Sequence, residues 1–555
     1  MSQNNLFLKK IAKSLSLLIV SVLSIALIVS VAAGYEASIN FIGRYIDGTS
    51  IRNIFDHNRF IVVQVLSAIL LVLSYYLILK KFDAIFHAAG QFFRDTLAAL
   101  KNIGKDLCTK NALIVLTIPL FASIYFALTI PVSYDEVWTY LDFTRKPFYH
   151  CMMYYPYPNN HILHSLLTNV TEHLPFFSML FKIRIPAILA SFFAWVVAYS
   201  FLKKYYSVKV AVFVVGIASV MFRSIYYSSL SRGYALVVLF FIISLYAAYN
   251  IIYKGSRRKD WIFFALSNTL GCYTMPSFLY PIVMLNLLIL IYNYKNIVQQ
   301  IKYNIASGVL TFVLYTPVFL VSGIKALTNN QFVSPENHTR LDVLKQLPLF
   351  GYETIADLTG MSGLKMAIIL AVVLIIAIKN KDKSAITLWL VFGITPALLL
   401  LVHSVIPFYR TFIYYTFIIA FLTGISVRDE LNKINIKILA VFVLILQIGS
   451  VVYFKQNIAE AETFNTYAND VTKRILKKNT TYLVNYPHIM FDMATKDGYE
   501  LGNVTCQEGE VSWNNADTIG NFDYVVIYKS YDKTQIKKPV YSNQELNVYL
   551  NKQQN

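Results

Sequence analysis

Apolar residues run along this chain in long unbroken blocks instead of alternating or marking one face of a helix. Thirteen blocks stand out, at 14–33, 60–79, 112–131, 179–201, 210–222, 234–253, 261–273, 278–294, 304–323, 364–378, 385–406, 411–427 and 438–454. A helix of about 20 such residues crosses a hydrocarbon core of about 30 Å. The pattern therefore predicts an all-α polytopic membrane protein with about 13 transmembrane helices. Blocks 210–222, 261–273 and 364–378 are short for complete crossings. After residue 454 the pattern changes: 482–486, 523–528 and 540–541 read as β, 488–496 reads as helix, and charges return to ordinary frequency. A small α/β module is expected there. The first block follows Lys9, Lys10 and Lys13, as a signal peptide would, but its apolar run of about 20 residues is too long for a signal h-region. It reads as a helix anchor. No internal repeat or glycine-rich linker interrupts the series.

Composition narrows the class. Apolar residues make up 56% and charged residues 14%, against about 25% charged in soluble domains, so an ordinary soluble enzyme is excluded. The balance of 49 Lys and Arg against 30 Asp and Glu gives +19, which in a soluble chain suggests nucleic acid. Here the cations serve as orientation signals beside membrane lipids, and nucleic-acid binding is set aside. With the N-terminus inside, the inner loops carry 24 cations and the outer loops and helix ends, tail excluded, carry 14. The positive-inside rule then places the N-terminus in the cytoplasm and, after thirteen crossings, the tail outside. The expected organisation is extra N-terminal helices with a basic cytoplasmic loop (1–111), a transmembrane catalytic domain (112–454) with external loops 132–178 and 324–363, and an extracytoplasmic α/β domain (455–555). Cys108, Cys151, Cys272 and Cys506 lack CxxC spacing, so neither a zinc site nor a disulfide framework is indicated.

The external loop after the third block carries the densest chemistry, SYDEVWTYLDFTRKPFYHCMMYYPYPNNHILHSLL. Asp135 and Glu136 follow directly on a span ending at Pro131, so two carboxylates stand at the membrane surface. One reading makes them a base and its partner. The other makes them a helix start, since acidic residues favour a helix N-terminus and VWTYL suits an interfacial helix. Further on, Pro156 and Pro158 enforce an extended approach and Asn159 or Asn160 can cap a helix. His161, His164 and Leu167 then share one face. Such a histidine pair can ligate a metal with a carboxylate, bind an anionic head group, or sit at an interface bonded to water.

The segments YDEVWTYLDF, PNNHILHSLL and SRGYALVVLFFIISLYAAY together resemble the GT-C integral-membrane glycosyltransferases, in the branch of protein O-mannosyltransferases and lipid A aminoarabinose transferase. The resemblance runs from Ser133 to Tyr249. It implies an acidic pair on the first large external loop, a polyprenyl-phosphate sugar as donor and an external C-terminal domain. This chain departs from the pattern in having two extra spans ahead of the acidic loop, which preserve its side because two crossings restore orientation. It lacks a WWD-type signature, so transfer of a single sugar is expected.

A lipid-phosphate sugar is already activated, so the protein must deprotonate an acceptor hydroxyl and neutralise the departing phosphate. Asp135 is the candidate base. Glu136 is expected to orient the acceptor or, with His161 and His164, to hold a divalent metal ion, the candidate cofactor, while Asn159 and Asn160 line the same pocket. Direct displacement predicts inversion at the sugar. Arginine binds phosphate in a forked geometry, and Arg184, Arg223, Arg232 and Arg410 lie at external helix ends; snorkelling into head groups is the alternative reading of each. The sequence thus predicts a polyprenyl-phosphate-dependent glycosyltransferase with a periplasmic active site in a bacterial inner membrane, acting on a lipid, glycan or protein acceptor. The rival is a polyprenyl-lipid or glycan transporter or flippase, which calls for mid-span charges or repeated halves; few such charges and no repeat are present.

Overall fold

The structure, a computed structural model, describes residues 3–42, 56–323, 327 and 339–458, then 470–471, 480–484, 490–491, 495, 504–506, 522–529, 532, 538–544 and 546–550. The chain is an integral membrane protein built from helices, with a small C-terminal sheet. Among the described residues, eight helices are long and apolar enough to cross a membrane, or ten if each of two bent pairs counts as one crossing. That is fewer than the thirteen the apolar blocks predict. Block 210–222 becomes a helix Val208–Ala218 followed, after a 70° bend, by Phe222–Ser229. The block at 364–378 becomes Gly363–Lys379, bent by 97° from Arg340–Thr359. Block 411–427 shortens to Tyr415–Ser426. Hydropathy registers the apolar run in each case but not the break within or beside it.

Two compact units divide the described chain. The first holds residues 1–105, 153–156 and 312–328. In it, Gln3–Ile42 packs along His57–Tyr76, with Ser21 and Tyr75 hydroxyls 3.1 Å apart and Gln64 Nε2 donating to Ser30 Oγ at 3.1 Å. Tyr35 sets its ring edge-on to Phe60, and Lys9 pairs with Asp83 at 2.8 Å. The expected basic loop is instead helical: a π-turn at Leu77–Lys81 leads into a 26-residue helix, Phe82–Leu107.

The second unit carries the remaining helices and the sheet. Its centre is knitted by small residues and buried polar groups, since apolar side chains alone gain little by leaving lipid for protein. Gln447 Nε2, on Ile436–Ile458, donates to Val115 O at 2.9 Å and Gly216 O at 3.3 Å, tying three helices together. Residues 324–363, expected to be an external loop, are helical from Arg340 onward under a Thr339–Asp342 capping box. Within that stretch, Asn329, Asn330, Glu336 and His338 lie outside the described residues. The helix ends at Gly360, whose φ of +73° needs glycine and whose carbonyl accepts the Tyr453 hydroxyl at 2.8 Å.

The C-terminal sheet has strands β1 (Tyr482–Val484), β2 (Val504–Cys506), β3 (Tyr524–Tyr528), β4 (Tyr541–Ser542) and β5 (Leu546–Leu550), in the order β2-β1-β3-β5-β4. β1 pairs parallel with β2 and β3, and β5 pairs antiparallel with β3 and β4. Strands β2 and β5 were not legible as strands. Most of the helix expected at 488–496 lies outside the described residues, but Phe491 is buried with Val132, Val137, Tyr140, Leu141 and Ile183, so the tail packs onto the acidic loop.

Near its end that loop carries an acid perturbed by burial. Glu172 is nearly buried, and burial raises its carboxyl to about 7 against the opposing charges of Arg145 and Lys182. A carboxyl whose folded value is raised contributes stability at acid pH that is lost as the pH climbs through about 7. Glu172→Gln should therefore flatten the fall in thermal midpoint between mildly acidic and mildly alkaline buffers. A variant whose midpoint still follows the wild-type pH curve would assign that dependence elsewhere.

Candidate functional site

The acidic pair opens a one-and-a-half-turn helix, Tyr134–Thr139, capped by Ser133. Ser133 Oγ accepts the Glu136 amide at 3.4 Å and Glu136 Oε2 accepts the Ser133 amide at 2.9 Å, a reciprocal capping box. This box sends the two carboxylates in opposite directions. Glu136 is fully buried and meets Arg184 in a forked pair, with Nε to Oε1 at 2.9 Å and Nη2 to Oε2 at 2.7 Å. Its Oε1 also accepts the Ser231 amide at 2.5 Å. Burial alone would raise the Glu136 carboxyl, but the Arg184 charge and these hydrogen bonds outweigh it and hold the carboxyl below its ordinary value. Arg184 places its other N–H groups on the carbonyls of Ala127, Ile130 and Pro131, at 3.0, 2.6 and 2.8 Å. The pair thus fastens the acidic helix to the end of the preceding span and to the Ser231-Arg232-Gly233 corner.

Asp135 turns outward, with a third of its side chain exposed. Its Oδ2 lies 3.7 Å from a guanidinium nitrogen of Arg232 and 3.7 Å from one of Arg410. Arg232 is buried, and its Nη1 donates to Thr139 Oγ1 at 2.6 Å and to Asn159 O at 3.2 Å. Gly233 next to it has no room for a side chain: a Cβ there would come within 2.8 Å of the His161 Cβ and 2.9 Å of the Thr274 Cγ2. Arg410 lies over the Phe408 ring at 4.4 Å and makes no hydrogen bond among the described residues. Its guanidinium donors remain available to a ligand.

An open cavity of about 350 Å³ fronts this group, lined by Asp135, Arg223, Arg232, Arg410 and the tyrosines Tyr134, Tyr226, Tyr227 and Tyr409. Its far wall comes from the helix Arg340–Thr359: Asp357 pairs with Arg223 in a fork, and Glu353 accepts the Tyr409 hydroxyl. The 70° bend before Phe222–Ser229 brings Arg223 and the two tyrosines to the cavity. Asp357 and Tyr409 were missed from the sequence. Tyr409 adjoins Arg410 and was within reach; a carboxylate one turn from the end of a helix mistaken for a loop was not.

Several expected roles do not fit this geometry. Arg184 has no donor left for a phosphate and does not line the cavity. Glu136 has both oxygens committed and is turned away from it. A metal on Glu136, His161 and His164 lacks its donor set: Glu136 is occupied, and His161 Nδ1 accepts the Gly233 amide at 2.9 Å. No group of three His, Cys, Asp or Glu suited to a metal occurs among the described residues. Both histidines are buried and neutral, lowered first by burial and then by the Arg232 charge, His164 to about 3. They stack behind the Arg232 corner instead of entering the cavity. Asn160 also braces the loop, donating to Cys151 O at 3.0 Å and accepting the Ser165 hydroxyl at 2.8 Å, while Asn159 donates to Asp135 O at 3.2 Å.

No family model and no curated protein matches this chain. Solved structures do. ArnT from Cupriavidus metallidurans bound to undecaprenyl phosphate is similar with a TM-score of 0.52 at 12% identity, over 80% of this chain and 98% of that one. The apo state of the same protein gives 0.57 at 11% identity, over 79% and 97%. At this identity the likeness is one of fold: across some four fifths of its length the chain shares the fold of ArnT.

Proposed function

We propose that the chain is a membrane glycosyltransferase that moves a single sugar from a polyprenyl-phosphate-linked donor to an acceptor hydroxyl on the extracytoplasmic face of a bacterial inner membrane. One observation carries the reading: a half-open carboxylate, Asp135, stands between two guanidinium groups at the mouth of a cavity. It occurs in a fold shared with a protein solved with undecaprenyl phosphate. Arg410, with its donors uncommitted, and Arg232 take the donor phosphate and stabilise the negative charge that grows on it as the glycosidic bond breaks. Asp135 accepts the acceptor's proton as its oxygen attacks the anomeric carbon from the opposite side, so the product is inverted. Arg223 is held by Asp357 and shapes the wall. The positive-inside count supports a cytoplasmic N-terminus.

The direct test is to supply purified protein in lipid vesicles with a labelled polyprenyl-phosphate sugar and follow released polyprenyl phosphate together with the anomeric configuration of the product. Retention, or no release with any such donor, would overturn the reading. Arg410→Ala should weaken undecaprenyl phosphate binding by roughly 10- to 100-fold, the loss of charge-assisted hydrogen bonds to phosphate. An unaltered affinity would remove Arg410 from the donor site.

A further inference from the structure

The helix Phe82–Leu107 lies outside the site and has no assigned role. Its sequence, FDAIFHAAGQFFRDTLAALKNIGKDL, divides cleanly by face. At 100° per residue, Phe82, Phe86, Phe93, Leu97, Leu100 and Leu107 fall within one arc of about 140° or less. Arg94, Lys101 and Lys105 run together along one flank of that arc, and Gln91 and Asn102 occupy the opposite face. Although apolar, Phe93, Leu97 and Leu100 are about half or more exposed, with Phe93 at 63%. An apolar face this long is not left to water.

Length decides what covers it. The continuous helix His57–Leu107 has 51 residues and would span about 76 Å, more than twice a hydrocarbon core of about 30 Å. His57–Tyr76 is sufficient for the crossing, and the π-turn Leu77–Lys81, with Lys80 and Lys81, marks its end on the cation-rich side. Irregular turns of this kind are where long helices change direction. Only two residues separate Leu107 from the next apolar helix, Lys110–Thr129, so a crossing by that helix has to start from the side on which Phe82–Leu107 ends. A helix whose two ends are both tied to one membrane surface lies along that surface. The charges agree: Asp83 pairs with Lys9 at 2.8 Å and Asp106 with Lys203 at 2.5 Å, which leaves Arg94, Lys101 and Lys105 against Asp95 alone.

We propose that Phe82–Leu107 is an interfacial helix, its phenylalanine and leucine face sunk into the inner leaflet and Arg94, Lys101 and Lys105 bound to anionic lipid head groups. The partner is thus the bilayer surface itself, and the assignment does not depend on the transferase reading.

The test uses the full chain with Cys108, Cys151, Cys272 and Cys506 all replaced by serine, with a nitroxide on Phe93→Cys or on Gln91→Cys, in phosphatidylcholine vesicles with or without phosphatidylglycerol. Collision with oxygen reports lipid and collision with a soluble nickel chelate reports water. The Phe93 label should favour oxygen and the Gln91 label nickel, with the Phe93 preference larger when phosphatidylglycerol is present. Arg94→Gln, Lys101→Gln and Lys105→Gln together should remove that phosphatidylglycerol effect. Equal nickel access at both positions in both vesicles would overturn the proposal.

Discussion

Asp135→Asn is expected to lower sugar transfer by roughly 100- to 10,000-fold, the usual contribution of a positioned general base, with the protein still inserted and still binding its lipid donor. The expectation of a chemical rather than a structural loss comes from how the side chain is held. The cap of the Tyr134–Thr139 helix is made by Ser133 and Glu136 and does not use the Asp135 side chain. The contacts that anchor residue 135 run through its backbone oxygen, which accepts from Thr139 Oγ1 at 2.7 Å and from Asn159 at 3.2 Å. Asparagine preserves both and fills the same volume. It removes the negative charge that Arg232 and Arg410 share, so donor affinity should hold or rise while turnover collapses. Initial rates and undecaprenyl phosphate binding on the same preparation separate the two effects. Full transfer by the variant would exclude Asp135 as the base, and a parallel fall in donor binding would make it a binding residue instead.

Glu136→Ala should do more damage to stability than any substitution at the cavity surface. It leaves the Arg184 guanidinium buried without its carboxylate, and breaking such a pair from one side costs roughly 3–5 kcal/mol, a large part of the roughly 5–15 kcal/mol that holds a typical domain folded. The amides of Ser133 and Ser231 lose their acceptor at the same time. Arg184→Met combined with Glu136→Leu replaces both charges by apolar groups and should recover much of the thermal midpoint. Transfer should not recover with it, since Ser231 is no longer tied to the acidic helix and Arg232 loses its register on Asp135. A double variant that regains full activity would show that Asp135 is positioned without this pair. A Glu136→Ala protein with an unchanged midpoint would show that the pair is not a fastening.

The contrast between two neighbouring acids explains how far the sequence could be read. The pair Asp135-Glu136 was visible as chemistry at a membrane surface, but the assignment of shared catalytic duty to both was too generous. Helical geometry puts successive residues about 100° apart, and the capping box and the Arg184 fork hold Glu136 on the inner side while Asp135 stays at the cavity. The spacing Ser133-x-x-Glu136 already carried the capping-box signature that marks the second acid as structural. The arginines divide in the same way. Arg184, Arg232 and Arg410 look alike as isolated cations near helix ends, yet one is sealed inside with all its donors used, one is half committed to the loop and one is open to the cavity. The histidine pair was correctly placed on the loop but lies behind its wall, where burial keeps it neutral.

Local and one-dimensional properties were the sequence's own: the membrane class, the series of apolar helices, the change of character after residue 454, and the loop that carries Asp135. Each follows from how many consecutive residues are apolar, because the bilayer tests a segment by its length and hydropathy alone. Tertiary structure decided which helices break, that Arg340–Thr359 closes the cavity wall, and which of the candidate charges meet. Those outcomes turn on contacts between residues far apart in the chain, Asp135 with Arg410 and Arg223 with Asp357, and a charge acquires its role only from the partner and the solvent that the fold leaves beside it.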